Sequence, residues 1–317
     1  MSGAARFDAI DHVLALDLGG RGIARIFTPG AVHAAARALS RARRVVVVTG
    51  FCVPPGLPET DGPPGAAVLG RALRLLGASV RYVTDPAVMP PLTAALAALG
   101  EPADVTVYPE GPNAAGALLG ELRPTHLVAV ERPGRARSGE YLSARGESVS
   151  AWNRPIDDLF LLGGGLRPPS PSEGASTAPS ETSPRRWRRQ SRRSNRRPVT
   201  VAVGDGGNEI GMGNVHARLR RESRRMARIA SVVRADHLVV AGTSNWGAYG
   251  IVTALGQLMR RPLLHAPALE RRMLQACVAA GAVDGVTRLA EPTVDGLPLD
   301  TQVAVVELLG RVMMEAR

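Results

Sequence analysis

The run Gly204-Asp205-Gly206-Gly207-Asn208-Glu209-Ile210-Gly211-Met212-Gly213-Asn214 sets four polar side chains, Asp205, Asn208, Glu209 and Asn214, among five glycines. Glycine tolerates a left-handed backbone and close approach to a ligand, and carboxylates beside amides can move protons, stabilise an oxyanion or hold a hard cation. A plain strand-to-helix turn needs only one or two glycines and an Asn or Asp cap. The run follows the apolar stretch Val199–Val203, and the exit from a strand is where open α/β sheets place their ligands.

Other polar clusters occupy comparable positions. Thr49-Gly50-Phe51-Cys52-Val53-Pro54 leads to Glu59-Thr60-Asp61-Gly62, which sets two carboxylates ahead of a helix; an acid there also serves as an ordinary helix cap. Thr84-Asp85 and Glu131-Arg132-Pro133-Gly134 follow two further apolar runs. Glu131-Arg132 reads as a surface ion pair or, at a strand end, offers Arg132 as a bidentate grip for a carboxylate. Gly242-Thr243-Ser244-Asn245-Trp246-Gly247 opens a helix, where backbone N–H groups can hold an anion or Ser and Asn can simply cap.

Several chemistries are excluded. All 39 basic residues are Arg, so pyridoxal phosphate (PLP), Schiff-base aldolase and P-loop sites, which need a lysine amine, are ruled out. In Gly204-Asp205-Gly206-Gly207-Asn208-Glu209 the third glycine of a dinucleotide fingerprint is Glu209, and Trp246 replaces the second glycine of a serine-hydrolase elbow around Ser244. No His falls in these loops, so acid–base work falls to carboxylates. Cys52 and Cys277 have no metal-ligand spacing and suggest a reducing compartment.

The elements that must position these loops alternate. Strands are expected at Arg44–Thr49, Val80–Thr84, Val105–Tyr108, His126–Val130, Val199–Val203 and His237–Ala241. Helices are expected at Pro29–Arg43 (Thr28 as cap), Gly65–Leu76, Pro90–Leu99, Ala114–Leu122, Val215–Ala227, Trp246–Met259 and Pro267–Ala280. This pattern predicts one α/β domain, a mainly parallel sheet flanked by helices on both faces, Rossmann-like in its three layers but without a dinucleotide fingerprint. A Pro/Ser-rich then Arg-rich insertion at about 163–197 is expected to be disordered. It carries nine Arg against two Glu, which accounts for most of the net charge of +11. The rest of the chain makes no electrostatic case for nucleic acid. With no signal-like N-terminus and no apolar run of membrane-spanning length, a cytoplasmic protein off the membrane is the expectation.

TGFCVP with ETDGPPGA, VERPGRARSGEY, GDGGNEIGMGNV and GTSNWGAYG, four motifs in order between Arg44 and Gly250, resemble the D-glutamate cyclase family. A weaker match, VDGLP, lies at Val294–Pro298. The resemblance implies a hydro-lyase that interconverts D-glutamate and 5-oxo-D-proline plus water. In that reaction Asp205 and Glu209 would share acid–base roles, with Asn208 and the N–H groups of Gly206 and Gly207 stabilising an oxyanion. Arg132 would grip the α-carboxylate, Ser244, Asn245 and Asn214 would orient the substrate, and Glu59 and Asp61 would line the opposite wall or bind the ammonium. No cofactor is expected; in a second version Glu59, Asp61, Asp205 and Glu209 hold Mg²⁺ or Mn²⁺. The rival reading is a non-catalytic module that binds a small anion or nucleotide, tethered to nucleic acid by the Arg-rich segment. Oligomeric state is not legible.

Overall fold

The computed structural model describes residues 7–164 and 197–315. In chain order the elements are α1 (Ala9–Leu14), α2 (Ala31–Leu39), β1 (Arg44–Thr49), β2 (Cys52–Val53), β3 (Leu57–Pro58), α3 (Pro63–Leu75), β4 (Ser79–Thr84), α4 (Met89–Ala98), β5 (Val105–Val107), α5 (Ala114–Leu122), β6 (His126–Val130) and α6 (Asp158–Gly164). They continue with β7 (Val199–Gly204), α7 (His216–Glu222), α8 (Arg224–Ile229), β8 (His237–Val240), α9 (Ser244–Met259), α10 (Pro267–Ala279) and α11 (Leu299–Glu315).

Six strands form one parallel sheet in the order β5-β4-β1-β6-β7-β8. The central strands are nearly unbroken Val, Leu and Ala runs, as strands buried on both faces require. One face is covered by α1–α4 and α9–α11, the other by α5 and α6 together with Ile210 and Val233. The chain winds outward from β1 to β5, then returns across the sheet to β6. That reversal makes the gap between the ends of β1 and β6 the place where such sheets bind ligands.

Register fixes which residues meet there. Thr49 pairs with Val130, and Val130 with Val203. Gly50, Glu131 and the Gly204-Asp205 step therefore emerge level with one another. Gly50 N donates to Glu131 O (2.9 Å) and Glu131 N to Val203 O (3.2 Å), extending the ladder by one step into the loops.

Some elements differ from expectation. α2 begins at Ala31 behind a left-handed Gly30 (φ 74°), so Thr28 is not its cap; Asp11 accepts the Gly30 N–H instead. The Val215–Ala227 helix is divided at Ser223, whose extended backbone breaks the spiral and whose Oγ caps α8. α1, α6 and α11 were not anticipated. Most of the 163–197 insertion lies outside the described residues; at its edges Gly163 and Gly164 close α6 and Arg197 pairs with Asp236. Among the described residues no helix is long and apolar enough to cross a membrane.

Candidate active site

Glu209 organises the glycine loop from within. Its carboxylate accepts the N–H groups of Asp205 (2.9 Å), Gly206 (2.5 Å) and Gly207 (2.7 Å). Three backbone donors on one anion form a charge-assisted clamp that fixes the loop. The space left for it is narrow, because a Cβ on Gly206 would lie 3.1 Å from Glu209 Oε1 and Gly207 has φ 99°. This corrects two expectations. The loop N–H groups are not free to stabilise an oxyanion, and Glu209, although it reaches the pocket wall, is engaged in holding the loop.

The loop turns Asp205 towards a pocket of about 110 Å³. Arg21 Nη1 meets Asp205 Oδ1 at 2.5 Å, while its other terminal nitrogen pairs with Asp295. Arg21 is itself placed by Asp17, which accepts the N–H groups of Arg21 and Gly22 (2.7 Å each). Glu131 enters beside Asp205 from the end of β6. Its backbone is left-handed (φ 42°), an uncommon and strained state for a residue other than glycine, and such strain gathers at functional sites. Glu131 Oε2 accepts from Ser244 Oγ at 2.6 Å.

Asp61 adjoins both without itself forming the pocket wall. It caps α9, not the α3 helix that follows it in sequence, accepting the N–H groups of Ser244 and Asn245 at 2.8 Å each. Asn245 Oδ1 returns the contact by accepting the N–H groups of Gly62 (3.0 Å) and Gly65 (2.8 Å). Ser244 and Asn245 therefore knit the end of β8 to the loop after β1, and Ser244 alone touches a pocket carboxylate. Glu59 also lines the pocket, against Gly285. Asn208 also lines the pocket, with its side-chain NH₂ donating to Leu142 O at 2.7 Å.

Two expected site residues lie elsewhere. Arg132 is fully buried and donates to Asp85, to Gly50 O (3.0 Å) and to Arg154 O (2.6 Å). The left-handed backbone of Glu131 ends the extended strand after Val130; Glu131 lines the pocket while Arg132 turns to Asp85. Asn214 is spent on the backbone of Ala235, donating at 2.8 Å and accepting at 3.3 Å.

One oxygen from each of Asp61, Glu131 and Asp205 lies within 4.8 Å of the others. Burial pushes all three up from the usual carboxylate range. Asp61 reaches about 7, raised next by Asp295 and opposed by the α9 N–H groups. Glu131 is raised further by Glu209, Asp61 and Glu59. For Asp205 burial is opposed by Arg21. Glu59 is raised by burial and by Asp295 and Asp61. The cluster is over-supplied with negative charge, with Arg21 as its internal counter-ion, so it favours protons, an ammonium group or a hard cation. If a divalent cation binds, Asp61, Glu131 and Asp205 are the residues that could hold it, rather than the expected set that included Glu59 and Glu209.

Gly285 is a sensitive point. A Cβ there would lie 2.5 Å from the Glu59 carboxyl carbon. The obstacle is the far end of a flexible side chain, so Gly285→Ala is expected to leave Tm nearly unchanged while displacing that carboxylate. We expect turnover to fall by about ten- to a hundredfold, measured beside a thermal melt; unchanged turnover would mean that Glu59 is a bystander.

Sequence reasoning missed Arg21, Asp295, Arg145 and Arg288 and chose Arg132 over Glu131. The available signals were the Asp17-Leu18-Gly19-Gly20-Arg21-Gly22 turn and the Val294–Pro298 motif.

Comparison with known proteins identifies the family. Residues 10–169 and 189–310 match the family described as D-glutamate cyclase-like, C-terminal. The mitochondrial D-glutamate cyclase of Homo sapiens is 31% identical over 339 aligned residues, covering 94% of this chain and 50% of that protein. The chain thus spans about half the length of its curated relative. With Glu59, Glu131 and Asp205 on one pocket at the sheet's switch point and similarity along nearly its whole length, the chain belongs to the D-glutamate cyclase-like C-terminal family.

Proposed function

We propose that this pocket interconverts D-glutamate and 5-oxo-D-proline plus water. The observation that carries the reading is the group of buried, mutually repelling carboxylates, Glu59, Asp61, Glu131 and Asp205, at and beside one small pocket. Cyclisation forms a bond from the amine nitrogen to the γ-carboxyl carbon and breaks a C–O bond. The ammonium gives up two protons and the departing oxygen takes up two, so no net proton is exchanged with solvent. Neighbouring carboxyl groups in different protonation states suit that transfer.

Within the cluster the environments diverge. Glu131 has a hydroxyl partner and anionic neighbours, so it is the group to keep a proton at neutral pH and deliver it to the leaving oxygen. Asp205 is also raised by burial, but the contact with Arg21 opposes that shift, so it is the group to take a proton from the amine once ionised. Among the described residues Asp205 Oδ2 and Asp295 Oδ2 have no hydrogen-bond partner, which leaves them for the ammonium. Glu59 adds a further acceptor to the pocket lining.

The rival reading, a nucleotide or small-anion module, fits poorly. The cavity is well below the roughly 300–1,000 Å³ usual for larger ligands, and the N–H groups that would cradle phosphate are taken by Glu209. The test is purified protein incubated with D- and L-glutamate and with 5-oxo-D- and 5-oxo-L-proline, followed by chiral chromatography. Formation of 5-oxo-D-proline from D-glutamate, or the reverse, is the expected result; no conversion of any of the four would refute the reading. The same assay after exhaustive chelation is expected to retain its rate. Activity lost on chelation and restored by Mg²⁺ or Mn²⁺ would instead assign the Asp61–Glu131–Asp205 oxygens to a cation.

A further inference from the structure

The mouth of the pocket has the opposite charge from its floor. Two turns, 143–147 and 284–288, meet there, and each sends an arginine to the other. Arg145 Nη2 donates to Val286 O at 3.0 Å, and Arg288 Nη2 donates to Glu147 Oε2 at 2.9 Å. Both arginines line the pocket.

The turns are anchored from below. Ser143 Oγ accepts the N–H groups of Arg145 and Glu147, at 3.2 Å each. Asp284 accepts the N–H groups of Val286 and Thr287 at 2.8 Å each, and that of Gly296 at 2.7 Å. The last bond ties the Arg288 turn to Asp295, and through Asp295 to Arg21 on the pocket floor.

Arg288 is the unusual member. Its backbone is left-handed (φ 61°), and among the described residues its buried Nε has no acceptor. An arginine that lines a pocket in a strained conformation with an unanswered N–H can supply half of a bidentate carboxylate grip. Arg145 is exposed and its turn is free of strain at that residue, so it can only assist.

We infer that Arg288, assisted by Arg145, binds the α-carboxylate of the substrate and thereby selects substrates and lactams in which that carboxylate is free. This rests on the cyclase reading and extends it to the end of the substrate that does not react. The orientation follows from charge. The amine and γ-carboxyl must reach the acidic floor to exchange protons, and the same floor repels the α-carboxylate, which therefore lies towards the arginines at the mouth. D-glutamate and 5-oxo-D-proline share this carboxylate, so the contact is made in both directions of the reaction.

The test compares D-glutamate with D-isoglutamine, which keeps the γ-carboxyl and amine but carries an α-carboxamide. Wild-type protein is expected to prefer D-glutamate. In Arg288→Ala, kcat/KM for D-glutamate should fall by about 100-fold or more, mainly through KM, while kcat/KM for D-isoglutamine changes little, so the preference collapses. Arg145→Ala, at an exposed site, should weaken the preference in the same sense by a smaller factor. If Arg288→Ala lowers both substrates equally, or keeps the wild-type preference, the arginine is structural and the assignment is overturned. If the wild-type protein converts neither compound nor 5-oxo-D-proline, the cyclase reading itself fails and takes this assignment with it.

Discussion

Glu131→Gln is expected to lower turnover of D-glutamate by about 10²–10⁴-fold while leaving the protein folded, and above neutral pH more stable than the wild type. Glutamine keeps the shape and can still accept the Ser244 hydroxyl through its amide oxygen, but it has no proton to deliver. The stability side follows from linkage. The folded protein holds the Glu131 proton more tightly than the unfolded chain does, because burial and the Glu209, Asp61 and Glu59 charges disfavour the ionised form. That contribution is fully present below the ordinary carboxylate pKa. It is lost as pH rises through the raised folded value, and Asp61 behaves likewise up to about 7. Glutamine does not titrate, so the stability difference between variant and wild type, followed through Tm, should widen from pH 5 to pH 8. The slope should be of order 1 kcal/mol for each pH step between the ordinary and the raised pKa. Asp205→Asn should cost a similar factor in rate. For the wild type the acid limb of kcat/KM should lie above the ordinary carboxylate range, because burial raises Asp205. A Glu131→Gln protein with full turnover, or with no pH-dependent gain in Tm, would remove this residue from the chemistry.

Strands were legible where burial on both faces forced a continuous apolar run: Arg44–Thr49 and His126–Val130 have the bounds expected from the sequence alone. α11 was not legible because Val and Leu crowd Gln302–Val312, and short apolar runs of this kind do not separate strand from helix by periodicity. For the site, the loops that the sequence singles out after β1, β6 and β7 border one pocket, but the direction of their side chains was not legible. Between Glu131 and Arg132 it depends on the left-handed backbone of Glu131, which no local pattern announces. Glu209 was legible as a carboxylate but not as a clamp, since its partners are the N–H groups of its own loop. Arg21 was invisible for a different reason: its partner Asp205 is 184 residues away, and no local pattern ties a glycine-rich turn near the N-terminus to a strand end in the second half of the sheet.

Arg132→Ala separates the two views of that residue, because they predict effects on different observables. A substrate-gripping Arg132 would, on truncation, raise KM and leave stability untouched. The structure implies the reverse. Arg132 and Asp85 are both fully buried, and the guanidinium also satisfies the carbonyls of Gly50 and Arg154. Asp85 in turn accepts the Arg154 N–H at 2.9 Å, so one ion pair joins the ends of β1, β4 and β6 to the segment that leads into α6. Removing the cation leaves the buried Asp85 carboxylate with only the Arg154 N–H and the buried Gly50 carbonyl without its guanidinium donor, and breaking a buried pair from one side typically destabilises by about 3–5 kcal/mol. We therefore expect a large drop in the urea midpoint for Arg132→Ala, and a comparable drop for Asp85→Ala. The Arg132→Met/Asp85→Leu double variant should recover much of the loss, since it removes both charges and refills the volume. Because Gly50 N donates to Glu131 O, slackening this junction also loosens the Glu131 carboxylate, so on the proposed mechanism the folded fraction of Arg132→Ala should lose kcat rather than KM. An unchanged urea midpoint with a raised KM would return Arg132 to the substrate.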